Sequence, residues 1–319
     1  MDEQRILTKP DPTNEEVLTN FQRERNLKLR MASLLAVAVA LFLIVIKAFA
    51  WAISGSVALL GSLMDSLLDF SISLMNFFVV RHAMIPADAE HRFGHGKAEA
   101  MAAFVQGMVI AGSAGFLLYE SIHAFIYPRA IEHSDTGIVV MGVSIVVTMG
   151  LIFVQRRVVA DTGSLAISAD STHYLGDLYM NLGVIGALVL AGGFGWTYAD
   201  PILGIFVVGV LLHSAYEVFS KAKDQLMDHE LPDDQRQRIR TRILSHPDVQ
   251  GMHDLRTRKS GTSTFIQCHV ELSGNLTLYR AHDISDEVEQ LVLEECPDGE
   301  VIIHLDPYAD QKEQFDITS

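Results

Sequence analysis

The chain has 319 residues, of which 49% are hydrophobic and 20% charged, with a mean hydropathy of +0.25. That is too apolar for an ordinary soluble enzyme of this length, and the charge that remains points to a membrane part joined to a water-soluble part. A formal net charge of −15 excludes the basic footprint of a nucleic-acid binder, and two cysteines, Cys268 and Cys296, without CxxC spacing give no sign of a disulfide scaffold or a thiolate metal centre.

Residues 1–30 (MDEQRILTKPDPTNEEVLTNFQRERNLKLR) are polar and mixed in charge, without the apolar core and small-residue cleavage site of a secretory signal. They are expected to form a mobile tail that turns helical near Phe21. Six segments follow that are long and apolar enough for a bilayer, which takes about 20 residues: 32–54, 57–81, 100–127, 136–159, 165–192 and 200–222. A tight ISGS turn divides the first two, and the third ends near Pro128. Basic residues fall on one side of these segments: Arg23, Arg25, Lys28 and Arg30, then Arg81, Arg92 and Lys97, then Arg156 and Arg157, then Lys221 and Lys223. The other side has Arg129 and little else. Positive-inside counting predicts six spans with both termini in the cytoplasm.

From about 231 the pattern changes. LPDDQRQRIRTRILSHP starts with Pro and Asp signals and continues as an amphipathic helix. MHDLRTRKSGTSTFIQCHVEL predicts two strands around an SG turn, TLYRAHDISDEVEQLVLEEC has helical periodicity, and EVIIHLDP is a short final strand. From Asp228 onward, nineteen acidic residues stand against nine basic ones. The predicted fold class is an α-helical membrane protein with six transmembrane helices and a small cytoplasmic α+β domain of order α-β-β-α-β. The expected divisions are a cytoplasmic tail (1–30), the transmembrane part (31–226), the cytoplasmic domain (227–310) and a flexible end (311–319).

Two of the apolar segments carry residues that hydrocarbon should reject. MDSLLDF places Asp65 and Asp69 at i, i+4 in the second, and DSTHYLGDLYMN places His173 and Asp177 at the same spacing in the fifth. Residues four apart stack on one helix face. Each charged group at mid-span costs roughly 2.5–3.5 kcal/mol on insertion scales, and such residues usually mark an ion or proton pathway. The bland alternative is a set of satisfied polar residues bonded to Ser62, Ser66 or Asn181. Two i, i+4 pairs of ligand-type residues argue against it. If the two faces meet, three carboxylates and one imidazole form a plausible tetrahedral set for zinc, and one that also suits cadmium; iron, cobalt and nickel are compatible with nitrogen and oxygen ligands. The set can close around a metal, as suits an ion that is itself the substrate. No GxxxxGK[ST] loop is present, which leaves an ion gradient as the energy source. Metal binding needs a neutral imidazole and ionised carboxylates, so loading releases protons and protonation releases metal.

These residues resemble a known family. The DxxxD of the second segment, the HxxxD of the fifth, the six spans and the α-β-β-α-β tail are similar to the cation diffusion facilitators, and GSLMDSLLD, PADAEHRFGHGKAEA, HDLRTRKSG and VIIHLDP resemble its bacterial zinc-exporting branch. The resemblance runs from about residue 31 to the tail. It implies a homodimeric metal/proton antiporter of the bacterial inner membrane, not an enzyme, with alternating access and a metallochaperone-like tail. Zinc or cadmium would be the cargo, and zinc also a regulatory ion. The family's transport site falls on Asp65, Asp69, His173 and Asp177. Its loop site falls on Asp88, His91 and His95, and its two-metal tail site on His253, His269, His282, His304 and Asp306. A charge interlock at the dimer interface falls on Lys97 and Asp228.

The residues alone say less about the outer sites. In PADAEHRFGHGKAEA, Gly94 and Gly96 suggest a turn, so spacing fixes no geometry and a solvated loop remains the alternative. In FIQCHVEL, strand alternation puts Phe265, Gln267, His269 and Glu271 on one face and Cys268 on the other with Ile266 and Val270, as buried packing. His304 and Asp306 share a face in VIIHLDP, and a polar solvent face is the competing reading. His82, His123, His133, His213, His229 and His246 lack partners of matching spacing. HELPD at 229–233 misses HExxH, and Pro232 is unsuited to a helix interior. Two other functions remain open. A membrane-anchored metal sensor would bind without flux and leave the intramembrane carboxylates unexplained. An intramembrane hydrolase lacks a convincing general base.

Overall fold

The computed structural model describes residues 12–55, 57–127, 135–194 and 198–308. Arg129 and His133 lie outside them. Six long helices come first: α1 (Pro12–Ser54), α2 (Val57–Ala83), α3 (Lys97–Ile126), α4 (Asp135–Thr162), α5 (Leu165–Phe194) and α6 (Ala199–Leu226). The helix begins at Pro12 and not near Phe21, since a proline fits the first helical position. Among the described residues, five helices contain stretches long and apolar enough to cross a membrane: Gln22–Ile53, Leu59–Ala83, Lys97–Ile126, Ile138–Thr162 and Pro201–Leu226. The sixth long helix is α5, which carries the polar load of Asp170, His173, Asp177 and Asn181.

The chain divides into two compact units, 1–223 and 224–319. In the first, α1 packs on α2 and α4, α4 on α5, and α3 on α2 and α5. Small residues allow this closeness. Ala32, Ala36, Ala40 and Ala50 line the buried side of α1, as lipid-embedded helices require when packing, not water, drives association. A methyl group at Gly176 would sit 2.6 Å from a Leu211 methyl, so α5 and α6 approach closely there and a larger residue would displace the leucine side chain. Polar contacts supply the rest. Ser73 and Tyr174 share a hydrogen bond of 2.8 Å, and Asn76 Nδ2 donates to Asp170 Oδ1 at 2.9 Å. With Asp69 and His173 they form a polar seam between α2 and α5.

A tertiary cap anchors the start of α5. The buried carboxylate of Glu99, in the first turn of α3, accepts from Ser164 Oγ at 2.7 Å, Leu165 N at 3.0 Å and Ala166 N at 3.5 Å. Those amides lack partners within their own helix. Gly163, with φ +67°, makes the turn that brings them round.

The second unit contains α7 (Asp233–Leu244), β1 (Gly251–Ser260), β2 (Ser263–Leu272), α8 (Leu278–Glu295) and β3 (Gly299–Pro307). The strands lie in the order β1-β2-β3, with β1/β2 antiparallel and β2/β3 parallel. A parallel neighbour needs a crossover, and α8 supplies it. Ile239 and Ile243 of α7 and Ile284, Val288 and Val292 of α8 pack on Ile266, Cys268, Val270 and Leu272 of β2. Cys268 therefore points inward as alternation predicts, at 2% exposure. Phe265 lies on the opposite face, as alternation predicts, and is buried there with the Arg258 guanidinium 4.7 Å above its ring.

Candidate metal sites

The first cluster lies within the helices. Asp69 on α2 and His173 and Asp177 on α5 each offer a ligand atom, all within 4.8 Å of one another. His173 Nε2 is 3.1 Å from Asp69 Oδ1 and 3.8 Å from Asp177 Oδ2. His173 is buried at 7% exposure. Asp177 Oδ2 is buried yet accepts no hydrogen bond, an unsatisfied acceptor that suits a cation ligand. Asp65 is exposed one turn along α2 and is not part of this cluster.

Several residues around the cluster carry no motif. Asp170, one turn before His173, is buried and held by Asn76 and by Gln155 Nε2 at 2.5 Å. Its i−3 spacing from His173 was the available signal. Lys47 of α1 donates to Ser66 Oγ at 2.6 Å and to the Ser62 carbonyl at 3.2 Å. A lone lysine in the run LFLIVIKAFAW was its only mark.

The second cluster is the loop before α3. Asp88, His91 and His95 bring ligand atoms within 4.8 Å. Asp88 Oδ1 accepts from Glu90 N at 2.9 Å and His91 N at 2.6 Å, a turn closed by its own side chain. The His91 amide bond, chief among these contacts, holds the Asp88 carboxyl below its ordinary range. His95 is buried, with Nδ1 donating to the Ile85 carbonyl at 3.3 Å and Nε2 3.4 Å from Asp88 Oδ2. That carbonyl contact orients the ring as a partner behind a metal ligand does. Gly94 turns the chain at φ +73°. His82, which lacks a partner of matching spacing in the sequence, meets His95 edge to face at 4.7 Å between centroids.

The third cluster sits on the exposed sheet face. His253, His269 and His304 occupy one register row across β1, β2 and β3. Their rings are 4.9 and 4.6 Å apart in sequence along the row. Asp306 joins them, with Oδ2 2.8 Å from His269 Nδ1 and Oδ1 3.2 Å from His304 Nε2. The His269 hydrogen bond, above all, holds the Asp306 carboxyl below its usual range. The 4.8 Å set is His253, His269 and Asp306. His282 is exposed on α8, paired with Asp286 at 3.7 Å, and is not part of that set. Two further acids border this row. Glu271 meets His253 Nδ1 at 3.2 Å, and Asp254 lies 3.9 Å from His269 Nε2. Alternation had put Glu271 on this face. It had not put Asp254 there, because a register shift after His253, with Asp254 at φ +50°, breaks the alternation.

Lys97 opens α3, and Asp228 follows α6 at φ +53° with its carboxylate 3.3 Å from Arg258. His246 hydrogen-bonds Glu287 at 2.7 Å, His229 contacts the Glu230 carbonyl at 2.9 Å, and His213 pairs with Glu217 at 3.5 Å.

Comparison with known proteins places these clusters in context. Residues 33–227 match the model of the cation efflux transmembrane domain, and residues 231–308 that of the cation efflux protein cytoplasmic domain. The chain is 44% identical over 278 residues to the cation-efflux pump FieF of Shewanella oneidensis, covering 87% of this chain and 94% of that protein. It is 44% identical over 276 residues to FieF of Klebsiella pneumoniae, covering 86% and 92%. A solved structure described as "Mode of Action of a Putative Zinc Transporter CzrB (Zn form)" is 31% identical, with 27% of this chain and all of that chain covered and a TM-score of 0.24. These pumps are transporters and not enzymes. A multi-pass membrane protein matched to both family models along nearly its whole length, this chain belongs to the cation diffusion facilitator family of cation-efflux transporters.

Proposed function

We propose that this protein exports zinc or cadmium from the cytoplasm in exchange for protons, by alternating access, as a homodimer in the bacterial inner membrane with both termini cytoplasmic. The observation that carries the reading is the cluster of Asp69, His173 and Asp177 shared by two helices of the membrane unit. Nitrogen and oxygen ligands suit zinc and cadmium. Asp65, one turn away on the same face of α2, joins as the fourth ligand when the metal is bound. Loading requires a neutral His173 and ionised carboxylates, so each metal bound displaces protons and each protonation favours release. An inward proton gradient then drives metal outward.

The loop cluster of Asp88, His91 and His95 captures or senses cytoplasmic metal. The sheet cluster of His253, His269, His304 and Asp306, completed by His282, regulates: metal there tightens the dimer and raises transport. Lys97 and Asp228 interlock at the dimer interface. Residues 31–226 carry transport and 227–310 regulation; residues 1–11 and 311–319 lie outside the described residues.

The test is zinc flux in sealed proteoliposomes containing a pH-sensitive dye, comparing the intact protein with His173→Ala and Asp177→Ala. Zinc entry with proton counter-movement is expected only with the intact site. Metal binding without flux under any proton gradient would replace transport with a sensor.

A further inference from the structure

One charge near the intramembrane cluster is not a ligand. Lys47 lies within the apolar span of α1, half-buried, with its Nζ hydrogen-bonded to Ser66 Oγ and the Ser62 carbonyl of α2. Ser62, Asp65, Ser66 and Asp69 fall on one face of α2 at i, i+3, i+4 and i+7, so the ammonium is held among the site's own residues. Asp65 and Asp69 share that face of α2, and Asp69 belongs to the cluster with His173 and Asp177. A lysine that merely escaped hydrocarbon would extend its stem toward the headgroups. This one turns to another helix and stops at two serines on the face that carries Asp65 and Asp69.

We propose that Lys47 is a fixed counter-charge of the transport site, a specificity-determining residue that sets the site's net charge to that of one divalent cation. Asp170 stands apart, held by Asn76 and Gln155; the three ligand carboxylates and one ammonium, with His173 neutral, leave two negative charges, which a single divalent ion cancels. A monovalent ion leaves the site charged in a low-dielectric setting, where an uncompensated charge is expensive. The ammonium also repels the cargo, so binding is weaker than three acids and an imidazole would give alone, and release is faster. Ser66, fully buried, anchors the ammonium so that it neither leaves nor enters the coordination sphere.

This inference rests on the transport-site reading, and the experiment separates the two. Zinc KM and maximal flux are measured in proteoliposomes for the intact protein, Lys47→Met and Lys47→Arg. Zinc affinity is measured in parallel by titration in detergent, with the intramembrane site identified by its loss in His173→Ala. Lys47→Met is expected to lower KM and dissociation constant by roughly tenfold, as removal of a unit charge several ångströms from a divalent ion should, and to lower maximal flux as release slows. Lys47→Arg restores both. A structural defect would raise KM instead. If Lys47→Met fails to assemble, Lys47→Gln, neutral but still a hydrogen-bond donor, carries the same expectation. Unchanged or weaker zinc binding in the neutral variant, beside normal flux in the intact protein, overturns the counter-charge. Tighter binding in the neutral variant, with no flux in the intact protein, sustains it and overturns the transport reading.

Discussion

Replacement of Glu99 by Ala tests whether the cap at the start of α5 supports the site further along that helix. The carboxylate accepts from Ser164 Oγ at 2.7 Å and Leu165 N at 3.0 Å, with Ala166 N at the 3.5 Å limit. Hydrogen bonds to charged groups contribute roughly 1.5–3 kcal/mol each, and buried donors left without partners cost about as much. Counting the two shorter bonds gives about 3–6 kcal/mol, and relief from burying a carboxylate offsets part of it. A net loss of about 2–4 kcal/mol remains. At roughly 2–4 °C per kcal/mol for a unit of about this size, the melting temperature should fall by about 5–15 °C. Glu99→Gln keeps an acceptor and loses only the charge at the helix N-terminus, so its loss should be about 1–2 kcal/mol. The assay is thermal unfolding in detergent, with zinc flux measured alongside, because α5 carries His173 and Asp177. A melting temperature within about 2 °C of the intact protein for Glu99→Ala, or a larger loss for Gln than for Ala, would refute the cap.

Three predictions concern the cytoplasmic unit. His269 sits at the centre of the histidine row, so His269→Ala should weaken zinc binding at the sheet by about a hundredfold or more, given roughly 10–16 kcal/mol spread over a full ligand set. Equilibrium titration checks this, and the dimer tightening proposed for zinc at this site should vanish with it. The same variant should flatten the acid limb of stability, because Asp306 is held below its ordinary value chiefly by His269: the contribution is present above about pH 4 and lost as pH falls. Cys268 tests the other limb. Burial pushes its thiol from 9.0 up to about 11, so the neutral thiol's advantage is complete below about pH 9 and declines as pH rises toward 11. Urea unfolding of the intact protein should weaken over that window relative to Cys268→Ala, and identical pH profiles would discount the burial argument.

What was legible in the sequence depended on the range of the interaction. Six apolar runs of bilayer length mark six long helices wherever they pack, and the switch from a 3.6 to a 2.0 period marks the α+β tail. The i, i+4 spacing puts His173 and Asp177 on one face, and alternation turns Cys268 inward and His269 outward. Each of these follows from a period of one element. Which faces meet does not. The approach of α2 to α5 brings Asp69 to 3.1 Å from His173 and leaves Asp65 outside the cluster, although the two aspartates are equivalent in pattern. Glu99 caps a helix that starts 66 residues later, and no local signal announces a cap supplied by another helix. Asp254 reaches the sheet site through a break in register, which period-two reasoning cannot anticipate.

The three clusters share ligand chemistry and differ in how they are held. Asp88, His91 and His95 lie within one short turn, and His253, His269 and Asp306 lie on three paired strands of one sheet. Both are exposed in large part, so their charges sit in a high dielectric and exchange freely with solvent. The intramembrane cluster is buried and divided between two helices. A relative shift of α2 and α5 by an ångström or two, small as helix motions go, would carry Asp69 away from His173 while His173 and Asp177 stay together on α5. Ligands on one rigid element can only bind. Ligands on two can bind and then be parted, which is what a transported ion needs of its site.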